Sequence, residues 1–141
     1  MRGLILYESR YGTTEDIVRR IREELKGVET LPCSKLSMQN IEKAEFLIIG
    51  SPIYFERLSK GVERLLKDTS FQEKIKDKPL AIFTVSFGRH KRYLSLLKRF
   101  LKRENILIEY QFRGKVWIFD RRKEEEIYEF VEKVRRFYGD R

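Results

Sequence analysis

The chain contains one cysteine, Cys33, and one histidine, His90, among its 141 residues. A single cysteine cannot form an internal disulfide, and a lone thiol suits a reducing compartment. One histidine and one cysteine are also too few for a zinc site or for a credible Cys–His catalytic pair. We therefore expect His90 to be a surface residue rather than a catalyst, and Cys33 to be a buried or half-buried thiol.

Long apolar runs are absent as well, so the sequence predicts no transmembrane span. The N-terminus enters the apolar stretch GLILY without the layout of a signal peptide, and we expect a cytoplasmic protein. A length of 141 residues fits a single domain. Asn and Gln are scarce, whereas charged residues make up 38% of the chain. This composition resembles that of hyperthermophile proteins and predicts a thermophilic source.

The formal net charge of +9 is concentrated in the second part of the chain. Residues 1–88 carry 15 basic and 13 acidic side chains, whereas residues 89–141 carry 16 and 9. Within Arg89–Arg103 there are seven Lys or Arg residues and no Asp or Glu. Such a segment predicts either a solvated helix face or a surface that attracts anions, for example an acidic protein, a phosphorylated ligand, an anionic lipid surface or nucleic acid.

Apolar runs without polar alternation predict strands that are buried on both faces of a parallel sheet. The predicted strands are Leu4–Tyr7, Val28–Leu31, Phe46–Gly50, Leu80–Val85 and Ile106–Tyr110, the last continuing in Val116–Phe119 after a break at Arg113-Gly114. Helical apolar stripes alternate with them, at Ile17–Leu25, Leu58–Leu66, Tyr93–Leu101 and Ile127–Phe137. The alternation predicts an α/β fold, a doubly wound parallel sheet with helices on both faces.

Several local signals bound these helices. Thr13 and Asp16 come close to a capping box at the start of the first helix, and Gly139 closes the last one. Leu36–Glu42 is weakly patterned and fits either a short helix or a loop.

The segment YESRYGTTEDIV, at Tyr7–Val18, connects the first predicted strand to the first predicted helix. Amide groups at a helix N-terminus, together with hydroxyl groups and a glycine, suit a phosphate. The residues that supply these groups are Ser9, Arg10, Tyr11, Gly12, Thr13 and Thr14. The alternative is an ordinary loop with a threonine cap. The segment lacks both the Gly-Lys-Ser/Thr of a P-loop and the GxGxxG of dinucleotide folds.

Two further loops follow predicted strands and are expected at the same edge of the sheet, where ligands of such folds bind. One contains Ser51, Pro52, Ile53, Tyr54 and Phe55, and the other contains Ser86, Phe87 and Gly88. Small residues followed by aromatic residues suit the walls of a planar ring, unless Tyr54 and Phe55 only pack beneath a neighbouring loop. A ligand with a phosphate tail and a flat heteroaromatic head, such as FMN, fits this pattern.

These residues resemble the flavodoxin family over the whole chain. LILYESRYGTTEDIV is similar to the family's phosphate loop, Ser/Thr-x-Thr-Gly-x-Thr. AEFLIIGSPIYFERLSKGVERLL is similar to its strand, first flavin loop and helix, and PLAIFTVSFGRHKRYLSLL to its second flavin loop. The resemblance implies a five-stranded sheet of order 2-1-3-4-5, bound FMN, and either electron transfer or simple flavin-dependent oxidoreduction.

The resemblance also assigns contacts residue by residue. It implies that Ser9, Tyr11, Gly12, Thr13 and Thr14 hold the phosphate, and that Ser51, Ile53 and Tyr54 on one side and Ser86, Phe87 and Gly88 on the other border the ring. The chain departs from the family at Tyr11, which replaces a threonine, and at Arg10 beside it.

Two alternatives remain. The opening of the chain is also similar to menaquinone-dependent protoporphyrinogen dehydrogenases, although the loop after Ser86 is short where those enzymes carry a long insertion. The other alternative is a flavin-free module that binds partners through its basic face. If FMN is bound, we expect Arg89–Arg103 beside the ring, an acidic redox partner or anionic substrate, and a less negative second reduction potential than that of acidic flavodoxins. No nucleic-acid recognition motif is present.

Overall fold

The computed structural model describes residues 2–10, 12–86, 91–103, 106–113 and 121–138. The strands in these ranges are β1 (Gly3–Tyr7), β2 (Val28–Pro32), β3 (Phe46–Tyr54), β4 (Arg57–Leu58), β5 (Leu80–Ser86) and β6 (Ile108–Arg113). The α-helices are α1 (Thr13–Glu24), α2 (Met38–Lys43), α3 (Lys60–Lys67), α4 (Thr69–Ile75), α5 (Lys91–Leu101) and α6 (Arg121–Tyr138), and a short 3-10 helix spans Cys33–Lys35.

Five of the strands form a parallel sheet in the order β2-β1-β3-β5-β6, and β4 pairs antiparallel with the end of β3. Without the two-residue β4, this is the predicted order 2-1-3-4-5. The order reverses between β1 and β3, which places a crevice at their carboxyl ends. The doubly wound flavodoxin-like fold is therefore confirmed.

The core consists of two apolar layers, one on each face of the sheet. Ile5 and Ile48 point to a layer that includes the buried faces of α1 and α6, whereas Leu4 and Leu47 point to a layer covered by α2 to α5. Successive residues of a strand face opposite sides, which explains why the buried strands are apolar at every position.

The structure corrects the predicted start of the first helix. α1 begins directly after Gly12, which has φ 87° and no side-chain cap, so the predicted capping box at Thr13 and Asp16 is wrong. A capping box does occur at Ser37 and Asn40, where it opens α2, and Leu36–Glu42 is therefore helical over most of its length.

Two other boundaries differ from the prediction. Leu58 lies in β4 rather than in a helix, and a separate helix, α4, follows α3 because the Asp68 carboxylate accepts hydrogen bonds from the amides of Ser70 and Phe71. The last described strand runs to Arg113, whereas the predicted segment Val116–Phe119 and the closing Gly139 lie outside the described residues.

Candidate functional site

The loop between β1 and α1 lies at the carboxyl edge of the sheet. Gly12 adopts a left-handed conformation there, and no heavy atom lies within 4 Å of the position that a Cβ would take. The backbone conformation, and not a lack of space, therefore requires glycine. Ser9 Oγ accepts hydrogen bonds from the amides of Gly12 at 3.1 Å and Glu15 at 3.2 Å. The serine oxygen therefore lies at the N-terminus of α1.

Thr14 lies in the first turn of α1 and is 1% exposed. Its Oγ1 has no hydrogen-bond partner among the described residues. A buried hydroxyl without a partner costs about 1–3 kcal/mol, and the first amides of a helix also lack partners within the helix. This donor set at the positive end of the helix dipole fits a phosphate. Tyr11, in the same loop, lies outside the described residues.

β3 extends beyond its predicted end and carries Ser51 and Pro52 inside the sheet, where both are buried. Ser51 Oγ donates to the carbonyl of Pro52 at 2.9 Å and accepts from the amide of Ser59 at 3.2 Å. The Ser51 hydroxyl thus anchors the start of α3 to β3. Its contact with a ring stays a prediction.

Ile53 and Tyr54 reach the carboxyl edge half-buried, and Phe55 is 92% exposed. The alternative in which Phe55 packs beneath a loop is therefore wrong. Tyr54, by contrast, does contact its neighbour, because the backbone amide of Arg10 donates a hydrogen bond of 2.9 Å to the Tyr54 hydroxyl. The loop between β1 and α1 and the loop that carries Tyr54 are therefore directly joined.

Phe55 and Glu56 form the tip of the β3–β4 hairpin, and both have positive φ, at 50° and 61°. Two-residue hairpin turns of this kind normally use Asn-Gly, because L side chains are strained there. The Glu56 carboxylate forms an ion pair with Arg92 of α5, whose Nη2 also donates to the Tyr93 hydroxyl at 3.1 Å. The hairpin tip is thereby tied to the start of α5.

The third predicted loop is only partly described. Ser86 ends β5 and is buried, whereas Phe87, Gly88, Arg89 and His90 lie outside the described residues.

The basic segment Arg89–Arg103 does not form one patch beside this edge. Arg92 lies near the hairpin, but Arg103 donates to the carbonyls of Ile75 at 3.1 Å and Lys78 at 2.7 Å, just before β5 begins. Because α5 runs back along the sheet, its last basic residues lie near the amino ends of the strands, away from the carboxyl edge. The expectation that the whole segment borders the ring is corrected accordingly.

A cavity of about 740 Å³ opens beside the hairpin, on the α3 side. Its walls include Ser9, Arg10, Tyr54 and Phe55, together with the residues Glu8, Arg57, Leu58, Ser59, Lys60, Glu63, Arg64 and Lys67, which were not predicted as site residues. A visible signal for three of the basic ones is their spacing at 60, 64 and 67, which places Lys60, Arg64 and Lys67 on one face of α3.

Glu8 connects the wall of this cavity to α3 and lies near the thiol of Cys33, which follows β2. Its carboxylate accepts a hydrogen bond from the Gly61 amide at 2.8 Å in the first turn of α3. Burial raises the pKa of the Cys33 thiol to about 12, and the negative charge of Glu8 adds to the effect. Cys33 is half-buried, as expected from the sequence.

Neither a cluster of metal ligands nor a long apolar helix occurs in the described ranges. Their His, Cys, Asp and Glu side chains form no group of three that could hold a metal ion. None of their helices is long and apolar enough to cross a bilayer.

Comparisons with known proteins agree with the fold. The model of the flavodoxin domain family matches residues 4–121. Similar solved structures include a flavodoxin from the domain Archaea, with 15% identity and a TM-score of 0.71 over 96% of this chain and 99% of that one. The two-electron reduced flavodoxin of Megasphaera elsdenii shares 18% identity, with a TM-score of 0.73 over 95% and 98% of the two chains.

A flavoprotein from Lactobacillus acidophilus NCFM, solved in complex with FMN, matches with 19% identity and a TM-score of 0.59 over 78% of this chain and 92% of that one. No curated protein sequence matches. Identities this low show the fold alone, but the family model spans most of the chain. The chain therefore belongs to the flavodoxin domain family.

Proposed function

We propose that this protein binds FMN at the carboxyl edge of its sheet and transfers electrons through it. The observation that carries the proposal is the buried Thr14 hydroxyl, which lacks a partner among the described residues and lies at the N-terminus of α1. A phosphate oxygen in this loop would accept from Thr14 and from the first amides of the helix. Ser9, Arg10, Tyr11, Gly12 and Thr13 complete the proposed phosphate site.

The flavin ring is proposed to lie between the aromatic loop and the loop after β5. Ser51, Pro52, Ile53, Tyr54 and Phe55 are the residues proposed for one side, and Ser86, Phe87 and Gly88 are those proposed for the other. Tyr54 is already held by the Arg10 amide, which supports a floor whose position is set before the ligand arrives.

Bound FMN would supply the redox chemistry. Two carboxylates near this edge already have partners, since Glu8 accepts from the Gly61 amide and Glu56 pairs with Arg92. Neither is poised as a general acid or base, which favours electron transfer over an enzyme with proton-transfer steps. An acidic redox protein is the proposed partner class.

The test is an FMN titration followed by fluorescence quenching and by absorbance between 300 and 600 nm. Thr14→Val should weaken FMN binding by roughly ten- to 100-fold, since a hydrogen bond to a charged group contributes about 1.5–3 kcal/mol. Thr84→Val is the matched control, because Thr84 Oγ1 is also buried without a described partner but lies in β5. A wild-type protein that does not bind FMN would refute the proposal, as would equal affinities in Thr14→Val and wild type.

A further inference from the structure

The cavity beside the β3–β4 hairpin has an excess of positive charge. Five cationic side chains and two carboxylates line it, namely Arg10, Arg57, Lys60, Arg64 and Lys67 against Glu8 and Glu63. The same cavity shares Ser9, Arg10 and Tyr54 with the proposed flavin site.

Five cations against two carboxylates leave a formal excess of three positive charges on the cavity walls. Glu8 accepts from the Gly61 amide at 2.8 Å, and Glu63 pairs with Lys67 at 3.0 Å. No ion pair within the described residues reaches the exposed cations Arg57, Lys60 and Arg64, which we name the basic row. Lys60 and Arg64 are one helical turn apart on α3, so they present their charges on the same face.

The basic row lies next to a large exposed apolar ring. Phe55 is 92% exposed at the hairpin tip, where its backbone has positive φ, and it lines the same cavity. An exposed aromatic residue beside arginines is the composition typical of a protein docking surface, where aromatic residues and Arg are enriched. Backbone strain held at such a position is a mark of functional sites.

We propose that this groove, formed by Phe55 and the basic row, docks an acidic segment of the partner protein that exchanges electrons with the bound flavin. The inference rests on the proposed function and names the surface that serves it. Charge complementarity decides the occupant, since three uncompensated cations favour carboxylates and steer their approach. Electron transfer complexes of this kind are small and depend strongly on salt.

The docking surface is tested with a fluorescein-labelled oligoglutamate peptide as the probe, by fluorescence anisotropy at low ionic strength and on flavin-free protein. The triple variant Arg57→Gln/Lys60→Gln/Arg64→Gln should weaken peptide binding on the order of ten-fold or more. The matched control is Lys98→Gln/Arg99→Gln/Lys102→Gln, which removes the same charge from a groove of about 720 Å³ near the other end of α5. Its affinity should stay within about two-fold of wild type.

Three outcomes would overturn the inference. They are a peptide that does not bind, equal weakening in the two triple variants, and tighter binding of duplex DNA or anionic vesicles than of the peptide at the basic row. Because the peptide assay needs no flavin, its result is independent of the FMN titration. A protein that binds the peptide but no FMN would retain the docking surface and lose the proposed function.

A kinetic measurement extends the test to the flavin-loaded protein. After reduction, the protein should be oxidised more slowly by ferricyanide, an anion, in the basic-row variant than in wild type. Oxidation by the cation tris(phenanthroline)cobalt(III) should become faster in the same variant, and the control variant should change neither rate by more than about two-fold. Unchanged rates with both oxidants in the basic-row variant would contradict a role in electron exchange.

Discussion

The backbone amide of Arg10 donates a hydrogen bond of 2.9 Å to the hydroxyl of Tyr54, and this contact joins the two loops proposed to hold opposite ends of FMN. The loop between β1 and α1 and the loop at the end of β3 are therefore directly connected. We expect Tyr54 to contribute to FMN binding through both its ring and its hydroxyl. The two contributions can be separated by substitution.

Tyr54→Phe should weaken FMN binding by about two- to ten-fold, because it removes one hydrogen bond worth about 0.5–1.5 kcal/mol and keeps the ring. Tyr54→Leu should weaken binding further, since aromatic stacking adds about 0.5–1.5 kcal/mol. Fluorescence quenching measures both affinities, with riboflavin as the phosphate-free comparison. Identical affinities in wild type and both variants would contradict a floor built on Tyr54.

Gly12→Ala should lower the free energy of unfolding by about 1–2 kcal/mol, because alanine is strained at φ 87°, and should also weaken FMN binding by distorting the phosphate loop. Gly27→Ala is the control, since Gly27 has φ 74° but lies between α1 and β2, away from the loop. Its stability should fall by a similar amount while its FMN affinity is unchanged. Urea denaturation and FMN titration provide the two measurements, and parallel losses of affinity would argue against a local effect.

Gly50→Ala should destabilise the protein by about 1–3 kcal/mol through overpacking. A Cβ at position 50 would lie 2.0 Å from the Phe83 ring, and that ring is held edge-on by Phe112 and Phe130 at centroid distances of 5.3 and 5.8 Å. Thermal unfolding measures the loss. The double variant Gly50→Ala/Phe83→Leu should recover part of it, and a double variant less stable than both single variants would contradict this account of the strain.

Cys33 should react slowly with Ellman's reagent in the native protein at pH 8. Burial raises the pKa of its thiol from 9.0 to about 12. Between these two pH values the thiol stays neutral in the folded protein, whereas it ionises in the unfolded chain. At pH 8 the folded protein therefore contains roughly 1,000-fold less thiolate than the unfolded chain. The sign for stability follows from proton linkage. The stabilisation from the protonated thiol is fully present below pH 9.0 and is lost as the pH rises towards about 12.

Cys33→Ala should therefore flatten the alkaline decline in the free energy of unfolding relative to wild type. Unfolding the wild type in guanidinium should restore fast labelling by exposing the thiol. Fast labelling of the native protein at neutral pH would show that the thiol is neither buried nor perturbed.

The strands were predictable from the sequence because their burial on both faces requires an apolar residue at nearly every position. Leu4–Tyr7 and Phe46–Gly50 are apolar at every position, which only a sheet covered on both faces requires. The β3–β4 hairpin was not predictable, since Phe55-Glu56 carries no turn signal. The split between α3 and α4 was partly visible in Asp68, a good N-cap residue whose effect depends on where the preceding stripe of apolar residues ends.

The site was predictable to a similar degree. The β1–α1 loop could be singled out as a candidate phosphate site from its hydroxyls and its glycine, and the edge-of-sheet rule correctly placed the loop of Tyr54 beside it. The groove could not be predicted from the sequence, because its charge depends on which groups Glu8 and Glu63 contact in the folded protein. Arg89–Arg103 misled for another reason, because α5 runs back along the sheet and carries its last basic residues, such as Arg103, away from the proposed site. The thermophilic source, the cytoplasmic location and the reduction potential stay predictions.

The hairpin tip also has a consequence for laboratory evolution. Phe55 and Glu56 occupy backbone conformations that Asn and Gly would adopt with less strain. A library selected only for heat resistance should therefore replace both residues early, and the surviving variants would lose the exposed ring and the partner of Arg92 together. A second library selected for redox turnover should keep Phe55 and Glu56. Positions 55 and 56 should therefore be the first at which the two libraries differ.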